Sequence, residues 1–345
     1  MVVKLEIVSD LHTHSSCSDG FWTPSEVVLK AKEAGLKQIS IADHNTISGV
    51  SEALKKAKAV GMDFIKGAEI NAQTNYEGEI FHNHILAYNF DEKKFSVVVE
   101  KIVKSNNDLF IEIINRLKVL MSTKNNDLIS KRHPFLVFKK NIDVNLINEQ
   151  NILKDEYKRL YLREINDEEV KVILKEKFLP PETISRFIKN NLIENPEQLV
   201  KQEPRFWAKK IIFKNLPEVF SILDKNNSYQ NHEFIINSII DCKGIPILAH
   251  PFLDYANYSL EKREKYDRFL NELILKKLGG FEIYYYVGQG SSEQQQKEFN
   301  EKSEKLCKKN KLQISFGSDC HGPKRGDTSR IFLGKFGGNK IIQFS

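Results

Sequence analysis

Two imidazoles two residues apart, in the run Asp10-Leu11-His12-Thr13-His14-Ser15-Ser16-Cys17-Ser18-Asp19-Gly20, are the first chemistry-bearing feature of this 345-residue chain. In an extended segment alternate side chains share a side, so Asp10, His12 and His14 point the same way and the two rings can bind one ion. Further along come Ala42-Asp43-His44-Asn45, Gly67-Ala68-Glu69-Ile70, Phe81-His82-Asn83-His84-Ile85, Leu248-Ala249-His250-Pro251 and Gly317-Ser318-Asp319-Cys320-His321-Gly322. Neutral imidazole mixed with carboxylate suits Zn, Mn or Fe(II), whereas an oxygen-only set would suit Mg or Ca.

Each motif alone has an ordinary structural explanation. An HxH pair can be solvated, Asp43-His44 can cap a helix, and His250-Pro251 can make a rigid turn. Their joint occurrence at the ends of successive strand-like runs carries the argument, because buried His and carboxylate groups are costly unless paired or metal-bound.

Seven runs read as strands, at about 3–8, 38–42, 63–69, 80–88, 245–249, 280–286 and 313–317, and helical patterns alternate with them. The first helix is signalled by Thr23-Pro24-Ser25-Glu26, a capping box with proline at the first helical position. Strand C-termini of a closed parallel barrel meet at one face, so motifs spread over some 310 positions can form one pocket there. Between them, Phe95–Met121 and about 149–161, 166–177, 183–193 and 231–242 read as helices.

Glycine and charge mark the same division. None of the 17 glycines falls between residues 79 and 243. Residues 93–243 hold 27 Lys+Arg against 21 Asp+Glu, which accounts for the whole net charge of +6. An excess of this size fits an anionic substrate without requiring a nucleic-acid polymer. Composition, at 41% hydrophobic and 28% charged, excludes disordered and collagen-like classes, and no stretch approaches a membrane span. A cytoplasmic protein is expected. The four cysteines lack CxxC spacing, so free thiols are expected.

The series DLHTHSSCSDG, ADHNT, GAE, HILAY, LAHP and GSDCHG resembles the polymerase and histidinol phosphatase (PHP) superfamily of metal-dependent phosphoesterases. The resemblance implies an α/β fold, a distorted seven-stranded (β/α) TIM-like barrel with a helical insertion domain. Its motifs span about residues 5–92 and 244–326; with the fourth strand ending near 92, residues 1–92 and 244–345 are expected to form the metal-binding barrel and 93–243 a helical insertion, whose +6 suggests a substrate-facing lid. It is most similar to the stand-alone phosphoesterases that act on nucleotides or oligonucleotides.

Carried over position by position, the resemblance implies that His12, His14, Glu69 and Asp319 hold one metal. Glu69 bridges to a second, held with His84 and His250, and Asp19, His44 and His321 hold a third. Glu69, His250 and Asp319 are expected to carry the catalytic step. Two or three divalent ions (Mn, Zn or Fe) are implied, and hydrolysis by a metal-activated hydroxide. Asp10 and Asp43 are expected to orient ligating histidines from behind. His82 shares a strand face with His84 by parity and is expected to be accessory, and Cys17 and Cys320 are not assigned.

For the phosphate, the candidates are Lys324, Arg325 and Arg330 after the last motif, with Arg186 and Arg205 in the insert. Arg205-Phe206-Trp207-Ala208-Lys209-Lys210 interleaves cations with aromatics, a pattern of nucleotide-stacking surfaces and also of ordinary amphipathic helices. Glu282 and Tyr284, with Tyr285-Tyr286, are expected at the substrate rim. The expected substrate is a nucleotide, a nucleoside bisphosphate or another phosphorylated small molecule, or a short oligonucleotide. No membrane and no obligate protein partner is expected. The alternatives are a histidinol-phosphate phosphatase or other small phosphomonoesterase, an amidohydrolase-type C–N hydrolase, and a non-enzymatic binding module.

Overall fold

The computed structural model describes residues 6–123, 129, 131–133, 136–160, 163–202, 211–225, 230–284, 292–323, 333 and 336–344. Arg205, Lys324, Arg325, Arg330, Tyr285 and Tyr286 lie outside the described residues.

The sheet has seven strands in sequential order: β1 (Ser9–Thr13), β2 (Gln38–Ile41), β3 (Asp63–Tyr76), β4 (Glu79–Tyr88), β5 (Ile245–Leu248), β6 (Gly280–Tyr284) and β7 (Gln313–Gly317). A parallel bridge from Thr13 to Cys320, with His14 N–H donating to Cys320 O at 2.9 Å, brings β1 against the segment after β7 and nearly closes the barrel. Pairing is parallel except at β4, which is antiparallel to both β3 and β5. The barrel is thus mixed rather than wholly parallel, which is its distortion. A single-turn link, Glu77-Gly78, joins β3 to β4, and so short a connection allows only an antiparallel hairpin. His84 therefore reaches the site from within a strand rather than from a strand's C-terminal end.

The first strand is also shifted from its expected place. Among the described residues β1 runs Ser9–Thr13, past the expected end at residue 8 (residues 3–5 lie outside the described residues), so Asp10 and His12 lie within it. The hydrogen-bonded register with Gln38 and Ile39 fixes this position.

Helices sit where the capping signals put them. The helix Pro24–Glu33 starts on the capping box, with Thr23 and Glu26 exchanging side-chain bonds to backbone N–H groups. The helix Val50–Val60 ends on Gly61 at φ 65°, a left-handed cap that glycine adopts without strain. Val27, Val28, Ala31, Ala53 and Ala57 from these two helices bury against Ile39 and Ile41 of β2, together with Cys320. The barrel interior is filled by Leu11, Ala42, Leu86, Tyr88, Ile247, Ala249, Ile283 and Phe316. A packed apolar interior leaves the polar residues only the rim.

The chain divides into two compact units, Met1–Glu100 with Tyr229–Ser345, and Lys101–Ser228. The second is helical, and its own core includes Phe110, Ile113, Leu117, Ile152, Ile184, Ile188, Ile212 and Phe220. In it the helix Pro181–Phe187 continues into a π-helical turn, Ile188–Leu192. The helix Glu92–Ser122 spans the division. Among the described residues, no helix is long and apolar enough to cross a membrane.

Candidate metal centre

Glu69 stands at the middle of the rim, fully buried on β3, and turns its two carboxylate oxygens to different histidines. Oε1 lies 2.8 Å from His84 Nδ1 and 3.0 Å from His250 Nε2. Oε2 lies 3.0 Å from His44 Nδ1, 3.2 Å from His12 Nε2 and 3.4 Å from His14 Nε2. Asp319 Oδ1 is 3.0 Å from His14 Nε2 and 3.6 Å from His12 Nε2. Asp19 Oδ1 is 3.1 Å from His321 Nε2 and 3.9 Å from His14 Nδ1 and from His44 Nε2.

Three groups of ligand atoms, each within 4.8 Å of one another, result: His14, Asp19, His44 and His321; His12, His14, Glu69 and Asp319; and His44, Glu69 and His84. All nine residues singled out as ligands from the sequence meet at one rim, eight in these groups and His250 against Glu69 Oε1. The grouping differs in detail from the expected one. His14 and His44 each belong to two groups, because His44 turns Nδ1 to Glu69 and Nε2 toward Asp19.

These residues fit divalent metal. His12 Nε2, His14 Nδ1, His44 Nδ1 and Glu69 Oε2 are buried and have no hydrogen-bond partner of acceptable geometry, although other ligand atoms lie close by. Buried imidazole and carboxylate atoms gathered within 4.8 Å of one another and lacking a hydrogen-bond partner are what a cation satisfies.

The electrostatics are those of a crowded acid–imidazole cluster. Burial works against ionising Glu69, yet His12, His84 and His44 hold its carboxyl well below the usual range. Burial works against a charged His12, but Glu282 and Glu69 raise it well above the ordinary histidine value. His44 is likewise opposed by burial and raised by Glu69, to about 9. Burial, with His321 and His44 beside it, lowers His14 to about 3.

Three of the left-handed non-glycine residues stand at the site. Asn45, His250 and Asp319 adopt φ of 51°, 27° and 53°, left-handed conformations that non-glycine residues rarely hold. Each lies in or beside a candidate ligand motif.

Asp10 and Asp43 are buried but do not contact the histidine rings they were expected to orient. Asp10 accepts from Ser318 N (3.0 Å), Ser318 Oγ (2.6 Å) and the backbone N–H of His12 (3.3 Å). Burial pushes it up to about 7 against those bonds. Asp43 accepts from Ser15 N, Ser15 Oγ and Ser18 Oγ at 2.6–2.7 Å. Both carboxylates tie one ligand loop to another segment, through serine hydroxyl and backbone N–H groups.

The residue sequence reasoning misplaced is Glu282. It was expected to face substrate, but it is buried, with Oε1 2.9 Å from His12 Nδ1 and Oε2 accepting from His250 N–H at 2.7 Å. A Cβ on Gly317 would stand 2.2 Å from His12 Cβ and 2.3 Å from Glu282 Oε1, so only glycine lets the pair meet there. The signal was present: Glu282 is the single charge in the otherwise buried strand Gly-Phe-Glu-Ile-Tyr.

His82 joins none of the metal groups; its ring stands 5.6 Å from that of His84. Cys17, Cys242, Cys307 and Cys320 form no disulfide. Arg186 is engaged within the helical unit by Glu156, through Nε at 2.9 Å and through Nη2, and also meets Thr183. Its guanidinium thus ties two helices of that unit together.

Residues 10–172 match the family model of the PHP domain. Over 83 residues the chain is 45% identical to a 5'-3' exoribonuclease of Haemophilus influenzae, covering 24% of this chain and 29% of that protein. It is 37% identical over 62 residues to a 3',5'-nucleoside bisphosphate phosphatase of Chromobacterium violaceum, covering 18% and 22%. The chain thus spans less than a third of the length of these curated relatives. A structure from Bifidobacterium adolescentis, assigned by inference as a metal-dependent phosphoesterase, superposes with a TM-score of 0.51 at 19% identity over 93% of this chain and 89% of that one. At that identity the likeness speaks for the fold.

Proposed function

We propose, from the premise that this chain carries a PHP domain, that it is a metal-dependent phosphoesterase hydrolysing a phosphate ester of a nucleotide, a nucleoside bisphosphate or a short oligonucleotide. The observation that supports this best is Glu69, whose two oxygens face two sets of histidines and so suit a carboxylate shared between neighbouring ions. The relatives named above act, by their descriptions, on RNA and on nucleoside bisphosphates.

In this reading His12, His14, Glu69 and Asp319 hold one ion, and Glu69, His84 and His250 a second. Asp19, His44 and His321 hold a third, and Mn, Zn or Fe suits the mixed donor set. When bound, such ions lower the pKa of water and neutralise charge on the phosphoryl group. The chain's own work is geometric: Glu282 fixes His12 and the His250 backbone, while Asp10 and Asp43 fix the loops that carry His12, Asp319 and His14. The apolar barrel interior packs behind them, and His44, His84, Asp19 and Asp319 keep part of their surface exposed.

The test is metal analysis combined with phosphate release from a nucleoside 3',5'-bisphosphate, short RNA and histidinol phosphate in Mn or Zn. Wild type is expected to carry at least two ions and to cleave a nucleotide substrate. Glu69→Gln is expected to lose more metal than His321→Ala, because Glu69 belongs to two sets of ligands and His321 to one. Full activity in Glu69→Gln would overturn the reading.

A further inference from the structure

The hairpin β3–β4 extends well beyond the strands that flank it. β2 pairs only with Asp63–Lys66 of β3, and β5 only with Ile85–Tyr88 of β4, whereas β3 and β4 stay paired out to Tyr76 opposite Glu79. Residues directly opposed in an antiparallel pair share a face, and the face alternates along each strand. One face of the projecting part carries Ile70 opposite Ile85, Ala72 opposite Asn83 and Thr74 opposite Phe81. Its apolar members are fully buried, and the Phe81 ring packs at 5.0–5.1 Å against Tyr266 and Phe269.

The other face continues outward from Glu69. It carries Asn71 opposite His84, Gln73 opposite His82, and Asn75 opposite Ile80. Asn71, Gln73, His82 and His84 are all partly exposed, and Ile80 is 41% exposed. At ~3.4 Å per residue, Asn71 stands about 7 Å and Gln73 about 14 Å beyond Glu69 along the strand. The strip therefore starts at the candidate metal ligands and runs away from them with amides and an imidazole, then an apolar end.

Its chemistry is selective. From Asn71 to Asn75 and from Ile80 to His84 this face carries no Asp, Glu, Lys or Arg. Asn and Gln amides each donate and accept, which matches sugar hydroxyls and base edges, and the exposed Ile80 gives a ring an apolar surface. A second phosphate would find no cation on the strip, and a ligand ammonium would find no carboxylate.

We propose that Asn71, Gln73 and His82 form the leaving-group subsite, which takes the neutral nucleoside attached to the scissile phosphate while the metal ligands take the phosphate. This rests on the phosphoesterase reading and narrows it, favouring a nucleotide over a small aminated phosphomonoester.

The experiment uses the metal-loaded full chain and the double variant Asn71→Ala/Gln73→Ala, with His82→Ala as a separate variant. Calorimetry compares binding of adenosine 5'-monophosphate with inorganic phosphate, which needs no turnover. Rates compare adenosine 5'-monophosphate, whose leaving group is a neutral nucleoside, with p-nitrophenyl phosphate, and metal content is measured throughout. Wild type is expected to bind the nucleotide more tightly than phosphate. Each lost hydrogen bond is expected to weaken nucleotide binding and kcat/KM about three- to tenfold, with phosphate binding, p-nitrophenyl phosphate cleavage and metal content unchanged. Equal affinity of wild type for nucleotide and phosphate, or equal losses on both substrates, overturns the subsite. Absent turnover with the binding difference intact in wild type and lost in the variants overturns the phosphoesterase reading alone.

Discussion

Glu282 and His12 form a buried pair 2.9 Å apart, and the second oxygen of the same carboxylate accepts from the backbone N–H of His250 at 2.7 Å. One side chain on β6 thus fixes a histidine on β1 and the strained turn after β5. Carboxylate at Nδ1 of His12 also leaves Nε2 as the atom that faces Glu69 and Asp319.

Glu282→Gln should keep the fold but weaken metal binding about 10- to 100-fold, the range for a partner that orients a ligating histidine. Titration of the apo protein with Co(II) or Zn(II), followed by spectrum or calorimetry, reads this directly. Glu282→Ala should lose more, since it also leaves the His250 N–H unpaired. Unchanged metal affinity in both variants would show that the pair has no orienting role.

Metal uptake should release protons. His44 is raised to about 9 and His12 well above its ordinary value, in both cases against burial and by neighbouring carboxylates, so at pH 7 both rings carry a proton in the metal-free protein. A ligating imidazole must be neutral, so apparent metal affinity should climb as pH rises from 7 toward about 9. The metal-free protein should do the reverse. A raised folded-state pKa gives stability that is full below the unfolded value near 6.5 and is lost as pH passes about 9. Calorimetry in buffers of different ionisation enthalpy checks the proton count, and thermal melts of both forms at pH 7 and 9 check the sign. Proton-neutral binding at pH 7 would contradict it.

Gly317→Ala should be unexpectedly harmful for so small a change. The new methyl would meet His12 Cβ at 2.2 Å and Glu282 Oε1 at 2.3 Å, so the pair must separate. Overpacking of this kind costs about 1–3 kcal/mol, read as a lower melting temperature, with metal loss alongside. A control, Gly35→Ala, where no atom lies within 4 Å of the added carbon but φ is 86°, should lower stability without changing metal content.

Arg186→Ala should destabilise the helical unit and leave KM for phosphate esters unchanged. Glu156 is only 10% exposed and would be left without its guanidinium partner, while the 29% exposure of Arg186 screens part of the pair. A loss of about 1–3 kcal/mol in chemical denaturation is expected, at or below the range for breaking a buried pair. A raised KM with unchanged stability would restore Arg186 as a phosphate contact.

Much of the site was legible before any coordinates. His12, His14, His44, Glu69, His84, His250, Asp319 and His321 stand in short polar motifs at the ends of apolar runs, and that contrast needs no tertiary information. Period-two parity put His12 with His14 and His82 with His84. What parity could not give was depth, since it left His82 and His84 equivalent. The register Asn71 opposite His84 and Gln73 opposite His82 places one beside Glu69 and the other a pair further out.

The sequence by itself pointed to most of the elements, because capping boxes and apolar periodicity act locally, and to the candidate ligands through polar motifs that resemble a known family. Only the tertiary structure decided the partnerships. Glu282 meets His12 across 270 positions, Asp10 turns to Ser318 instead of an imidazole, and β4 runs against its neighbours so that His84 enters from mid-strand. The physical reason is that hydrogen bonds are settled by proximity and direction within a closed sheet. Neither quantity is carried by the order of residues along the chain.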